Sequence, residues 1–300
     1  MRGLAAAAAV SALTLSLQNP TIVDRRPLRS SVELTVVTAT VRDTDGRLVT
    51  GLPREEFEIY EDGDRQSISQ FTNERVPVGL GLLLDISDSM FGRRIVDARG
   101  AVERFLLELL QPADAFFVMA FNHEPRMLTQ WTNDPSTVRS ALAGIKPWGG
   151  TAIYDAIIRA EPMLDMRTRE RAALVVVSDG ADTASDASLR DVRSALLRTD
   201  AFIYAVAIDS SERRPINTGV NPEALREITN QSGGTTEVVH DSGDLDGATS
   251  RIAEELNNQY VLGYSPPHGL DGRYHSIRVR MINSTYRVRA RNGYVAAARP

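Results

Sequence analysis

Residues 79–90 read GLGLLLDISDSM, an apolar run that ends in two aspartates interleaved with two serines. A short unbroken apolar run is typical of a buried strand in a parallel sheet that helices cover on both faces. The polar end then emerges at the carboxyl end of the strand, where open α/β sheets bind their ligands. Asp85, Ser87 and Ser89 offer three oxygens on one tight turn, which predicts a site for a hard divalent cation.

Two later segments carry similar polar groups. Gly149-Gly150-Thr151 places a hydroxyl just before a predicted helix, and residues 174–180, LVVVSDG, form a second apolar run that ends in Asp179. Apolar runs alternate with helix-patterned segments through this region, which predicts an α/β fold with a doubly wound, mostly parallel sheet. Tracing successive elements under the usual handedness rule brings all three polar segments to one edge of that sheet.

The ordered motifs D-x-S-x-S, G-G-T and S-D-G resemble those of the von Willebrand factor type A domain and its metal-ion-dependent adhesion site. The resemblance implies a Rossmann-like fold that binds Mg²⁺, with Mn²⁺ or Ca²⁺ as alternatives. It also implies a ligand set in which hydroxyls bind directly and carboxylates act largely through water. A protein partner would supply a further carboxylate to the ion. The implied ligands are Asp85, Ser87, Ser89, Thr151 and Asp179.

Two β-patterned segments flank the predicted domain, which spans residues 76–262. The flanks, 32–75 and 263–297, are each too short to bury a core alone, so we expect them to pack together as one small β-sandwich. Within the second flank, apolar residues and arginines alternate over 277–290, which predicts a hairpin with a solvated arginine face. With the type A core between them, the flanks resemble a bacterial group of exported proteins called von Willebrand factor A-related.

The amino-terminal residues have the pattern of a secretory signal. Residues 1–18 combine an arginine near the start with a run of small apolar residues that is too short to span a bilayer comfortably. Residues 19–31 contain prolines and arginines and read as a linker. We therefore expect a secreted or periplasmic protein with no transmembrane segment in the mature chain. The chain contains no cysteine, which excludes disulfides, zinc–thiolate sites and a lipoprotein anchor.

The charge and the motifs favour a non-enzymatic module for protein–protein interaction and cell adhesion. A net charge of −5 over 300 residues argues against nucleic acid as the main partner. Two alternatives stay open: a metal-dependent hydrolase, in which the ion would activate water, and a structural scaffold with a vestigial metal site.

Residues near the predicted edge form a candidate partner-binding rim. The element directions place an Asn-His-Glu turn and a loop tryptophan there, together with two arginines on the polar loop 209–221. The remaining histidines, His240, His268 and His275, are scattered without metal-ligand spacing. The rim candidates are His123, Glu124, Trp148, Arg213 and Arg214.

Overall fold

A computed structural model describes residues 34–179, 182–208, 222–240 and 242–298. The predicted signal peptide and linker lie outside these residues, as do Arg213 and Arg214. The strands are β1 Thr35–Arg42, β2 Phe57–Glu61, β3 Asp64–Gln66, β4 Gln70–Thr72, β5 Val78–Asp85, β6 Ala115–Phe121, β7 Pro125–Thr132, β8 Arg171–Ser178, β9 Phe202–Ile208, β10 Thr236–Val239, β11 Tyr260–Tyr264, β12 Tyr274–Met281, β13 Arg287–Ala290 and β14 Gly293–Val295. The α-helices are α1 Arg93–Arg104, α2 Pro135–Ala143, α3 Ile153–Asp165, α4 Leu189–Leu196, α5 Pro222–Ser232 and α6 Ser242–Asn257.

A six-stranded sheet forms the centre of the fold. Its strand order is β10-β9-β8-β5-β6-β7, and every neighbouring pair is parallel except β6 and β7. Each of the parallel strands except β10 is buried along its whole length, as their unbroken apolar sequences predict. The predicted doubly wound, mostly parallel α/β sheet is therefore confirmed.

Helices cover both faces of this sheet. Leu80, Leu82 and Leu84 of β5 point into one apolar core, which also contains residues of α1, α2 and α6. Leu83 points into the opposite core, with residues of α3, α4 and α5. The alternation follows from the two-residue period of a strand. No helix among the described residues combines the length and apolar character needed to cross a membrane.

The apolar spacing of residues 93–110 predicts one long helix, but the helical winding changes before its end. After α1, residues Phe105–Leu109 continue as a π-helical turn, and Leu110 returns to an extended backbone. Asp134 accepts a hydrogen bond from the backbone N–H of Ser136 and caps α2, which has proline as its first residue. That start is where the Asp-Pro-Ser sequence predicts it.

Strands from both flanks form two further antiparallel sheets. One has the order β13-β1-β11-β4 and the other has the order β14-β12-β2-β3. A third apolar core contains residues from both of these sheets, including Val37, Ile59, Leu262 and Val279. Each sheet therefore contains strands from both sides of the central domain in sequence.

The hairpin predicted over residues 277–290 is wrong. Strand β12 pairs with β2 and β14, whereas β13 pairs with β1 in the other sheet. The chain changes sheets between Met281 and Arg287, because both sheets direct apolar residues of these strands into the same core. The arginine face is not simply solvated either, since Arg289 donates hydrogen bonds to the Gly234 carbonyl and to Glu255.

A buried carboxylate joins the flanking sheets to the central domain. Glu255 of α6 is 1% exposed, and Arg42 of β1 donates to it at 2.9 Å. The hydroxyl of Tyr204 in β9 donates at 3.0 Å and that of Thr40 at 3.3 Å. Arg289 of β13 also pairs with this carboxylate. Two arginines and two hydroxyls thus replace the water that the carboxylate loses on burial.

We expect Glu255→Gln to lower the free energy of unfolding by about 3 kcal/mol, because it leaves Arg42 and Arg289 without their counter-ion. Urea denaturation followed by tryptophan fluorescence measures the change. The matched control is Glu254→Gln, an exposed neighbour on the same helix, which we expect to stay within about 0.5 kcal/mol of wild type. Equal stabilities of the two variants would show that the Glu255 network contributes nothing.

Candidate metal centre

Asp85 is the last residue of β5 and is fully buried. Its Oδ1 accepts a hydrogen bond from the backbone N–H of Ser87 at 2.8 Å, and its Oδ2 accepts one from the Ser178 hydroxyl at 2.6 Å. Burial raises the pKa of Asp85 to about 7, and the negative charge of Asp179 adds to the increase. The ionised carboxylate therefore lacks sufficient positive charge around it.

The two motif serines lie beside this carboxylate on a short turn. The hydroxyl oxygens of Ser87 and Ser89 are 2.8 Å apart. Met90 is buried in the apolar core on the α1 side of the sheet, which fixes the turn against the domain. Asp88, between the two serines, is exposed, as expected for a residue whose side chain is not a ligand.

Asp179 follows β8, the strand beside β5. Burial raises the pKa of this carboxyl group, whereas a hydrogen bond with Ser89 and the charge of Arg94 oppose the increase. The Nη1 atom of Arg94 lies 3.2 Å from Asp179 and donates to the Ser89 carbonyl at 2.7 Å. Direct interactions therefore connect Asp85, Ser87, Ser89 and Asp179.

Thr151 belongs to a loop that is hydrogen-bonded to the other motif segments. The N–H of Asp88 donates to the Gly149 carbonyl at 2.9 Å, which joins this loop to the serine turn. The N–H of Thr183 donates to the Thr151 carbonyl at 2.8 Å, and the Thr183 hydroxyl accepts from the Thr151 N–H at 3.0 Å. Thr151 itself is buried. The three predicted segments thus lie at one edge of the sheet.

Several residues support this arrangement and were not given a role from the sequence. Ser178 donates to Asp85, and Arg94 pairs with Asp179, as described above. The side-chain amide of Asn122 donates to the Trp148 carbonyl at 3.1 Å, and its backbone carbonyl accepts from the N–H of Ala152. The position of Ser178 beside Asp179 in the S-D-G motif was a usable signal, whereas Arg94 is one of many helical arginines.

The candidate rim is described only in part. The rings of His123 and Trp148 pack edge-on with centroids 4.5 Å apart, and Trp148 is 54% exposed. Glu124 is also exposed. Phe91, next to the serine turn, is an exposed aromatic residue that the sequence did not single out. Arg213 and Arg214 lie outside the described residues.

The donor set fits a hard divalent cation. Hydroxyl and carboxylate oxygens are the ligands that Mg²⁺, Mn²⁺ and Ca²⁺ prefer. Two buried carboxylates and one arginine give the site a net negative charge when both carboxylates are ionised. A divalent cation reverses the sign of that charge, which offsets both the burial of Asp85 and its repulsion from Asp179, the two causes of its raised pKa.

Residues 80–181 match the sequence profile of the von Willebrand factor type A domain. The chain contains a von Willebrand factor type A domain. The match covers β5 through the segment after β8 and so includes all three motif segments. The six-stranded sheet, with helices on both faces, is the fold that the resemblance implied.

Similar proteins support the same fold. Human inter-alpha-trypsin inhibitor heavy chain H4 is 24% identical over 181 residues, which make up 56% of this chain and 19% of that protein. The match thus spans about a fifth of the length of that relative. An aerotolerance-related membrane protein from Bacteroides fragilis has a similar structure, with 21% identity and a TM-score of 0.52, over 60% of this chain and 98% of that chain.

A von Willebrand factor type A protein from Catenulispora acidiphila has a likeness that extends into the flanks. It is 13% identical, with a TM-score of 0.53, and the match covers 90% of this chain and 75% of that one. The central domain alone cannot account for 90% of the chain, so the fold likeness includes strands of the flanking sheets.

Gly149→Ala should lower the free energy of unfolding by about 1–2 kcal/mol. Gly149 has φ of +80°, and an added Cβ would lie 2.9 Å from Nδ1 of His123. The matched control is Gly144→Ala, where φ is −94° and the space is open. Urea denaturation of both variants measures the difference. Equal stabilities would contradict the requirement for glycine at position 149.

Proposed function

We propose that this protein is an exported, non-enzymatic binding module that engages a protein partner through a divalent cation at the type A domain. The hydroxyls of Ser87, Ser89 and Thr151 would bind the ion, and Asp85 and Asp179 would act largely through bound water. Mg²⁺ is the favoured ion, because it retains water ligands more readily than the alternatives, Mn²⁺ and Ca²⁺.

The arrangement of Asp85 and Asp179 carries this proposal. These buried carboxylates lie near each other. Ser87 hydrogen-bonds to Asp85, Ser89 hydrogen-bonds to Asp179, and the two serine hydroxyl oxygens are 2.8 Å apart. Because the proposed direct ligands are neutral hydroxyls, they leave much of the cation's charge uncompensated. An acidic side chain of a partner is the natural group to complete such a site.

The exposed groups near the site are suited to contact that partner. Trp148 presents a large aromatic surface, and His123 packs against it. Aromatic residues of this kind often dominate protein interfaces. Glu124, Arg213 and Arg214 complete the proposed rim.

The hydrolase alternative has less support. It requires a general base that accepts a proton from metal-bound water. His123 is the imidazole on the proposed rim. Its ring packs edge-on against Trp148, and the proposal assigns it to partner contact and not to proton transfer. The vestigial-scaffold alternative leaves unexplained why hydroxyl and carboxylate donors fill every position of the adhesion-site motif.

Export rests on residues 1–18 and on the likeness to bacterial proteins that include a membrane protein. The type A domain would then act in the periplasm or outside the cell. Fractionation of the source cells, with the mass of the recovered chain, tests this part separately. A cytoplasmic chain that retains residues 1–18 would contradict it.

Mg²⁺ should raise the melting temperature of the chelator-treated protein, because a ligand that binds only the folded state stabilises it by mass action. Asp85→Ala should abolish that shift. The control is Asp88→Ala, which removes an exposed carboxylate from the same turn and should retain the full shift.

Differential scanning fluorimetry over a range of Mg²⁺ concentrations provides the measurement, and circular dichroism checks that each variant is folded. A folded Asp85→Ala protein whose melting temperature rises with Mg²⁺ as much as that of wild type would contradict the assignment of the metal centre.

Capture of partners from the source cell envelope should depend on the same site. We expect wild type and Asp88→Ala to retain a protein in Mg²⁺ and to release it with chelator, whereas Thr151→Ala should retain much less. Quantitative mass spectrometry identifies the released protein. Capture that survives both chelator and Thr151→Ala would argue against cation-dependent binding.

A further inference from the structure

A second group of charged side chains lies within the flanking sheets. One carboxylate oxygen of Glu61 and one ring nitrogen each of His268 and His275 all lie within 4.8 Å of one another. Glu61 ends β2, His275 lies in β12, and His268 lies in the loop between β11 and β12. The histidines show no metal-ligand spacing in the sequence, but the structure brings His268 and His275 together beside Glu61.

The Glu61 carboxylate is buried without full compensation. Its side chain is 1% exposed, and Oε1 lies 3.0 Å from Nε2 of His268 and 2.8 Å from the Tyr294 hydroxyl. Oε2 is buried and makes no hydrogen bond to any atom of the described residues. The Tyr264 hydroxyl interacts with this carboxylate electrostatically but makes no hydrogen bond of normal geometry. An unsatisfied buried carboxylate oxygen is costly and points to a missing positive partner.

Both imidazole rings are held by their Nδ1 atoms. Nδ1 of His268 lies 2.9 Å from the Gly269 carbonyl, and Nδ1 of His275 lies 2.7 Å from Oδ2 of Asp62. Because both partners are acceptors, a neutral ring that keeps these hydrogen bonds carries its proton on Nδ1. Metal-binding histidines are commonly oriented by such a hydrogen bond to a carbonyl or a carboxylate, which leaves Nε2 as the ligand atom.

Asp62 is itself fixed in place. Its backbone has φ of +50°, a region in which aspartate is more common than most residues. Its Oδ1 accepts hydrogen bonds from the N–H of Ser276 at 2.8 Å and from the Ser276 hydroxyl at 3.1 Å. Another carboxylate oxygen, Oδ1 of Asp271, lies 3.2 Å from Nε2 of His275.

The charges around the rings favour a cation at this position. Carboxylate oxygens of Glu61, Asp62 and Asp271 lie within 3.2 Å of ring nitrogens of His268 and His275. The two rings nevertheless stack in parallel with centroids 3.4 Å apart, so two protonated rings would repel each other.

We propose that Glu61, His268 and His275 form a transition-metal site, with Asp271 as the adjacent fourth donor, and that Zn²⁺ is its ion. Two imidazoles with one or two carboxylates are a common zinc ligand set. One divalent ion supplies the positive charge that Glu61 lacks without placing a charge on each ring. Since parallel rings cannot both direct a lone pair at one ion, binding requires at least one ring to tilt.

The site would join the two flanks across their shared sheet. Glu61 comes from the amino-terminal flank, whereas both histidines come from the carboxyl-terminal flank. It differs in chemistry from the centre at Asp85, where all the predicted donors are oxygens. The two sites should therefore select different ions.

The test titrates the chelator-stripped full-length chain with Zn²⁺ in excess Mg²⁺, using isothermal calorimetry, and with Co²⁺ as a spectroscopic probe. We expect one Zn²⁺ per chain and visible Co²⁺ bands that Zn²⁺ abolishes. Asp85→Ala should leave both results unchanged, which separates this site from the one proposed above.

Ligand variants decide the assignment. His268→Ala and His275→Gln should each weaken Zn²⁺ binding by more than about tenfold, and Asp62→Asn should weaken it by about tenfold through the orientation of His275. His240→Ala removes a histidine outside the cluster and should bind Zn²⁺ as wild type does. Circular dichroism establishes that each variant is folded.

Two results would overturn the proposal. One is Zn²⁺ binding that is the same in folded His268→Ala, His275→Gln and wild type. The other is a folded wild-type chain that takes up no stoichiometric Zn²⁺ and whose two histidines titrate only with protons, as followed by NMR of the imidazole ring protons.

Discussion

Hydrogen bonds to the buried carboxylate of Glu255 connect the central domain to both flanking sheets. Removing a carboxylate from water costs several kcal/mol, and only well-placed donors offset that cost. Here the donors come from β1, β9 and β13. The burial of this charge therefore depends on contacts from the central sheet and from both flanks. This requirement explains why the flanks are an integral part of the fold.

Helix α6 extends from the carboxyl ends of the central strands to their amino ends. It begins after β10, at the edge where the strands end and the candidate metal centre lies, and Glu255 is in its last turn. Its 16 residues correspond to about 24 Å. Arg171, the first residue of β8, donates to the carbonyl of Leu256 in this helix at 2.8 Å. The polar network therefore holds the helix at the amino ends of the strands, whereas the candidate site lies at their carboxyl ends.

The two candidate cation sites illustrate how the same requirement is met with different chemistry. Asp85 and Glu61 are both buried carboxylates. Both oxygens of Asp85 accept hydrogen bonds beside the charge of Asp179, whereas Oε2 of Glu61 has no hydrogen-bond partner among the described residues. Hydroxyl oxygens surround Asp85, whereas imidazole nitrogens lie beside Glu61. The first set favours a hard ion and the second a borderline one. The two proposed sites would thus suit two classes of metal in a chain without cysteine.

The elements of the central domain and their order follow from local patterns in the sequence. The apolar runs at β5, β6, β8 and β9 are short and unbroken, a pattern typical of buried parallel strands. The Asp-Pro-Ser signal placed the start of α2 for a reason that is equally local. Handedness then brought the three polar segments to one edge, because the direction of each element follows from its connections.

By contrast, strand pairing in the flanks and contacts between distant side chains depend on the assembled fold. A two-residue period shows which face of a strand is apolar but not its neighbour, so β12 and β13 were wrongly joined as a hairpin. The pairing of Arg289 with Glu255 depends on contacts between different layers. Likewise, His268 and His275 stack only because a loop and a strand fold back together beside Glu61, a residue more than 200 positions away. Such contacts have no local sequence signal, because burial and charge compensation act between segments that the chain order keeps apart.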